Sequence, residues 1–249
     1  MNLPVETLRW LMTYLACLAT TGLSGQAALP YLAGVPFQHG TRTLSFPYAG
    51  GLNQPQFSAI HLDEDAQTDL LVFDRAGRQV LTFLGDSTAP LGYRHAPGYQ
   101  QDFPLIRDWV LARDYDCDGY EDLFAGHPGL DRIMLYHHRR VNGRPEWVLV
   151  REVLSSVLGT EIFAAQTDIP GIEDINGDGS LDLLSFDPGG SYVRYFENLA
   201  GCDTPAYILA VDCWGQFSES GISNDITLDA ACKRDQGRPR HAGSTICPI

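Results

Sequence analysis

Basic residues are scarce in this chain: 17 Lys and Arg stand against 31 Asp and Glu, a formal charge of −14. Binding to a phosphate backbone relies on cations, so this balance excludes nucleic acid as a partner. Catalytic signatures are missing as well. There is no GxSxG elbow, no HExxH pair and no phosphate-cradling glycine loop with its lysine. No CxxC pair exists, and beyond the first twenty residues no stretch is apolar enough to cross a bilayer. The composition, 44% hydrophobic and 19% charged, is that of an ordinary globular protein able to bury a sizeable core.

What is present is a threefold pattern of aspartates. The clearest copy is Asp174-Ile-Asn176-Gly-Asp178-Gly179-Ser180-Leu-Asp182, followed by Leu183-Leu184-Ser185-Phe186. Its twin is Asp114-Tyr-Asp116-Cys117-Asp118-Gly119-Tyr120-Glu-Asp122, followed by Leu123-Phe124-Ala125. A degraded copy lies upstream as His61-Leu-Asp63-Glu-Asp65-Ala66-Gln67-Thr-Asp69, followed by Leu70-Leu71-Val72-Phe73.

The alternation explains the chemistry. Oxygens at positions 1, 3 and 5 converge on one hard cation, position 7 offers its backbone carbonyl, and the aspartate at 9 closes a shell of the size calcium prefers. The candidate Ca2+ ligands are therefore Asp114, Asp116, Asp118, Tyr120 and Asp122 in the second loop, and Asp174, Asn176, Asp178, Ser180 and Asp182 in the third. In the first they are Asp63, Asp65, Gln67 and Asp69. Gly119 and Gly179 at position 6 predict a sharp turn with positive φ. An EF-hand begins the same way but needs a bidentate glutamate at position 12, where this chain has Val72, Ala125 and Ser185. For the first loop two readings stand, a weak site or a polar hairpin turn. His61 there replaces a hard oxygen, and Ala66 strains the turn by about 1 kcal/mol if its backbone must take positive φ. Ten carboxylates are proposed ligands, three in the first loop, four in the second and three in the third, so three bound Ca2+ ions would bring the charge from −14 to −8.

Spacing turns the loops into an architecture. Their first positions fall at 61, 114 and 174, intervals of 53 and 60 residues, within the range of stacked supersecondary modules. In the second unit Asp108 to Ala112 leads into the loop and Asp122 to Gly126 leads out. Residues 127 to 131 turn, Arg132 to Tyr136 returns, and Asn142-Gly143 turns again into Trp147 to Val150. The third repeats the plan, with Pro188-Gly189-Gly190 before Tyr192 to Phe196. Four short strands per unit predict an all-β fold of propeller blades. His137-His138-Arg139-Arg140 reads as a solvated strand end. Trp109, Trp147 and Trp214 read as core or inter-blade packing, with a sugar platform as the alternative.

The loops with their following leucine resemble the FG-GAP and VCBS repeats of calcium-binding β-propellers, of which the integrin α-subunit head is a relative. Ala49-Gly-Gly-Leu-Asn-Gln-Pro-Gln-Phe57, Val72-Phe-Asp-Arg-Ala-Gly77, Cys213-Trp-Gly-Gln-Phe217 and His241-Ala-Gly-Ser-Thr245 are similar to stretches of the secreted VCBS-repeat proteins of Bacteroidetes. The resemblance covers roughly residues 29 to 249. It implies a partial β-propeller of four-stranded blades over residues 26–200, with integrin α-like DxDxDG calcium loops. Residues 201–249 then form a Cys-rich inter-blade insertion and the first strand of a further blade. Three units and a stub do not close a ring, so the chain reads as the N-terminal part of a longer product. The resemblance further implies a non-enzymatic role in adhesion, ligand display or scaffolding, with an unidentified protein or glycan as ligand. A carbohydrate-binding or glycan-degrading accessory module is the alternative.

The N-terminus predicts export. Residues 10 to 19 form an apolar core of signal-peptide length, and cleavage near residue 25 makes 1–25 a signal peptide, with the product secreted or held at the cell surface. Cys17 lies inside that core, which argues against a lipoprotein acceptor. Cys202, Cys213, Cys232 and Cys247 crowd the last fifty residues and read as a disulfide-stapled insertion. Cys213 with Cys232 is the preferred of three pairings, and a zinc site is the competing reading.

Overall fold

The structure, a computed structural model, describes residues 36–229 except Ser45, Tyr48 and Pro90. The proposed signal peptide, Cys17, Cys232, His241, Cys247 and the final strand lie outside the described residues. Two units divide the chain. In the first, β1 (Gln38–His39) and β2 (Arg42–Thr43) pair as a small exposed hairpin turned at Gly40, whose φ is +63°.

The second unit, from Ser45 on, is built of antiparallel sheets. The first sheet is β3 (Pro55–Ile60), β4 (Asp69–Asp74), β5 (Gln79–Gly85) and β6 (Tyr93–His95). The second is β7 (Val110–Arg113), β8 (Asp122–Gly126), β9 (Ile133–Val141) and β10 (Arg144–Arg151). The third is β11 (Gly171–Glu173), β12 (Asp182–Phe186), β13 (Val193–Asn198) and β14 (Tyr207–Val211). Each is a meander whose strands pair in chain order, and each nine-residue loop joins the first strand to the second. The Asn142-Gly143 turn closes the β9–β10 hairpin with φ of +52° and +75°, the left-handed geometry that its residue pair favours. The third sheet's last strand falls within the segment read from sequence as a Cys-rich insertion. Beyond it, β15 (Phe217–Glu219) and β16 (Ile226–Leu228) form a further hairpin, β15 half-buried and β16 exposed.

The apolar runs after each loop are unbroken because both faces of these strands are covered. Leu71 and Phe73 of β4 pack with Val110, Ala112, Leu123 and Ala125 of the second sheet. On that sheet's opposite face Phe124, Ile133 and Leu135 pack with Ile172, Leu183 and Phe196 of the third. The second sheet is thus sandwiched between its neighbours. Each fully buried side chain of this size contributes about 1.5–3 kcal/mol. Trp109 is fully buried in the second of these cores, and Trp147 packs on the first, its ring 4.6 Å from that of His138. Trp214 lines an apolar cavity beside the third sheet with Leu184, Phe186 and Val193. All three tryptophans therefore sit against apolar side chains.

Side chains also seal a sheet edge. β7 is the outermost strand of its sheet, and its Val110 and Ala112 N–H groups donate to Gln56 Oε1 (3.1 Å) and Ser58 Oγ (3.3 Å) of β3. Arg113 then reaches on, donating through Nε to the Ile172 carbonyl of β11 at 3.0 Å.

Candidate metal centre

The second and third loops fold alike because their aspartates capture the same backbone amides. In the second, Asp114 Oδ1 and Oδ2 accept from the N–H groups of Asp118 (3.2 Å) and Gly119 (3.0 Å), and Asp118 Oδ1 accepts from Tyr120 (2.8 Å). In the third, Asp174 accepts from Asp178 (3.1 Å) and Gly179 (3.0 Å), and Asp178 from Ser180 (2.8 Å). Asp116 and Asn176 at position 3 each accept from the position-5 amide, at 3.3 and 2.9 Å. Gly119 and Gly179 have φ of +91° and +88°, as position 6 predicts.

The ninth residue has a role that its reading as a shell-closing ligand did not foresee. Asp69, Asp122 and Asp182 are all buried. One oxygen of each accepts the N–H of loop position 2: Leu62 at 2.6 Å, Tyr115 at 3.1 Å and Ile175 at 3.2 Å. The other oxygen accepts an N–H from the third strand or its end: Gly85 at 2.8 Å, His138 at 2.7 Å and Asn198 at 2.9 Å. The same staple therefore holds the loop against the sheet in all three units. A buried carboxylate survives there because charge-assisted bonds from two amides satisfy it.

Ligand groups converge most closely in the second loop. Among the described residues, two groups of three acidic or histidine side chains bring ligand atoms within 4.8 Å of one another: Asp114, Asp116 and Asp122, and Asp116, Asp118 and His137. Acidic clusters of this kind could hold a metal ion. Burial and the neighbouring Asp118 push the Asp116 carboxyl above its ordinary pKa, and His137 opposes the rise. Burial does the same to Asp122 more strongly, against the two amides that favour its charge. These carboxylates repel one another at close range, and a cation between them relieves the repulsion.

His137 corrects the reading of His137-His138 as a solvated strand end. β9 runs on to Val141, so both histidines lie within the sheet. His138 is buried, and His137 Nδ1 sits 3.2 Å from both Asp116 Oδ2 and Asp122 Oδ1. The equivalent residue of the third unit is Glu197, whose Oε1 lies 3.5 Å from Asn176 Nδ2. One strand position thus reaches toward loop position 3 in both units. The signal was available, since His137 and Glu197 both stand fifteen residues beyond their ninth aspartate, but nothing in either loop's own spacing points to it.

The first loop departs from this plan. His61 turns out of the loop toward Glu121, the eighth residue of the second loop, with both its N–H and Nδ1 3.0 Å from Glu121 Oε2. Ala66 does not adopt positive φ, so the strain anticipated for it is absent. Asp63 and Asp65 still accept from the amides two residues on, at 3.1 and 2.8 Å, but the side-chain amide of Gln67 bridges to Asp65 and to the Ser87 N–H. Leu84 occupies the strand position of His137 and Glu197.

Cys117, at position 4 of the second loop, is disulfide-bonded to Cys202 in the turn between β13 and β14, with Cα atoms 5.3 Å apart. Cys202 had been grouped with the tail cysteines because of its place in the sequence; packing of the second and third sheets brings it to the loop instead. Cys213 is also in a disulfide. Among the described residues no helix is long and apolar enough to cross a membrane. Comparison with protein-family models, curated proteins and solved structures returns no match.

Proposed function

We propose that this chain is an exported calcium-binding module, a partial β-propeller whose blades are its four-stranded sheets, serving adhesion, ligand display or scaffolding outside the cell. The observation that carries the reading is the recurrence of one loop at one topological place, between first and second strands. Two of three copies carry acidic or amide side chains at positions 1, 3, 5 and 9 and a further side chain, His137 or Glu197, on the third strand, and in the second copy these converge. Oxygen-rich sets of this kind suit a hard divalent cation. Blade-wise packing of successive meanders supports the propeller, and the Cys117–Cys202 bridge is compatible with an oxidising compartment outside the cytoplasm.

Asp114, Asp116, Asp118, the Tyr120 carbonyl and Asp122 would hold one ion, with His137 beside them. Asp174, Asn176, Asp178, the Ser180 carbonyl and Asp182 would hold a second, with Glu197 in the corresponding place. The ions would tie each loop to its sheet and neutralise carboxylates that otherwise repel. Calcium titration of metal-stripped protein by isothermal calorimetry tests the reading: two sites are expected in the about 10⁻⁴–10⁻³ M range of extracellular modules. Absence of any calcium heat up to about 10 mM, ten times the weak end of that range, would remove it.

A further inference from the structure

We propose that the Cys117–Cys202 disulfide is a redox-sensitive latch on the second cation loop, holding it in its ion-accepting shape and releasing it on reduction. The inference rests on the reading of that loop as a cation site. Position 4 of the loop takes a left-handed backbone in both complete copies. In the third loop a glycine does so, Gly177 at φ +79°. In the second the same position is Cys117, at φ +60°. A residue with a Cβ resists that conformation and a glycine does not. The second loop therefore needs something to hold position 4, and the covalent bond to Cys202 supplies it.

The anchor lies outside the loop. Cys202 belongs to the β13–β14 turn of the third sheet, 85 residues away in sequence, so the latch ties the loop of one sheet to its neighbour. Asp116 and Asp118 flank Cys117 directly, and both belong to the convergent groups of the second loop. Rotation of the 117 backbone out of the left-handed region redirects both carboxylates. The third loop needs no such bond at position 4, where Gly177 takes the left-handed backbone and donates its N–H to Asp174 Oδ1 at 2.7 Å.

The chemistry of release is ordinary thiol–disulfide exchange. A dithiol attacks one sulfur of the bridge, a mixed disulfide forms, and its second thiol closes to a cyclic disulfide. Cys117 and Cys202 are left as thiols, having gained the two electrons and two protons that the dithiol lost.

The test uses the full chain carrying Asp178→Ala, so that binding reports on the second loop, with terbium luminescence as the probe. In this background Cys117→Ser/Cys202→Ser is expected to bind terbium about fivefold or more weakly than the disulfide-bonded chain, the factor that a left-handed residue with a Cβ implies. Cys117→Gly/Cys202→Ser is expected to recover to within about twofold, because glycine restores the turn without the bridge. Circular dichroism confirms folding, and should the serine pair unfold the protein, affinity during dithiol reduction of the cysteine-bearing chain gives the same comparison. Equal affinity with and without the bridge overturns the latch. A glycine variant as weak as the serine pair overturns its backbone basis. No terbium binding even in the bridged chain is a different failure, that of the cation reading itself, and it takes the latch with it.

Discussion

Asp122 Oδ1 accepts the backbone N–H of His138 at 2.7 Å, clamping the end of the second loop to β9, the third strand of its sheet. Asp69 with Gly85 and Asp182 with Asn198 repeat the relationship. The ninth aspartate is thus kept in all three copies, as is the fifth, which accepts the amide two residues on, while the groups at position 1, at position 3 and on the third strand vary among them. Framework and cage are separate functions of one short sequence, and they fail separately.

Replacing this aspartate with asparagine keeps its size but puts an N–H₂ group where one backbone donor needs an acceptor. A buried donor left without a partner costs about 1–3 kcal/mol. Asp69→Asn, Asp122→Asn and Asp182→Asn are each expected to lower unfolding free energy by that amount in urea titrations. The loss in Asp69→Asn should be the same with EDTA as with calcium. The losses in the other two should be larger with calcium present.

Ligand convergence ranks the loops. Asp118→Ala and Asp178→Ala are each expected to remove one cation site, and Asp65→Ala to leave the stoichiometry unchanged, since His61 has turned to Glu121 and Leu84 offers no ligand. Terbium luminescence of the three variants checks this. Loss of a site in Asp65→Ala would show that the first loop rearranges around an ion.

Much of the fold was legible because its signals are local. Each loop's alternation, the Asn142-Gly143 turn and the apolar runs placed three meanders close to where they stand. What escaped depends on register between strands distant in sequence. Nothing in His137-His138 announces that β9 continues past Tyr136, or that Asp122 draws that stretch alongside its loop. Glu197 was overlooked for the same reason. Cys202 looked like one of a tail group because sequence proximity is a poor guide when sheets stack face to face. Ala66 misled in the opposite direction, since a degraded loop need not keep the backbone path of the intact copies.

The backbone argument about Ala66 can be measured. Gly179→Ala meets no neighbouring atom within 4 Å, so its cost is that of the left-handed backbone, about 1 kcal/mol. Ala66→Gly is expected to give no gain, and a small loss from added chain entropy. A stabilising Ala66→Gly in thermal melts would show that the first loop does strain at position 6.

Acid stability carries the mark of His138. Burial, reinforced by the charge of Arg140, pushes its pKa down to about 4 from the ordinary 6.5. Below pH 6.5 the unfolded chain takes up a proton that the folded chain refuses until about pH 4, so stability falls as pH drops through that window. The loss is on the order of 3 kcal/mol at most. His138→Gln, measured in EDTA, is expected to flatten the slope of unfolding free energy between those limits. An unchanged slope would mean that His138 titrates normally.

The most direct test is the melting temperature of metal-stripped protein with and without calcium. At roughly 2 mM calcium, affinities of about 10⁻⁴–10⁻³ M stabilise each occupied site by about 0.6–1.8 kcal/mol. Two sites then raise Tm by about 3–10 °C for a chain of this size, and EDTA reverses the shift. Melting curves that superimpose in calcium and in EDTA would contradict the account.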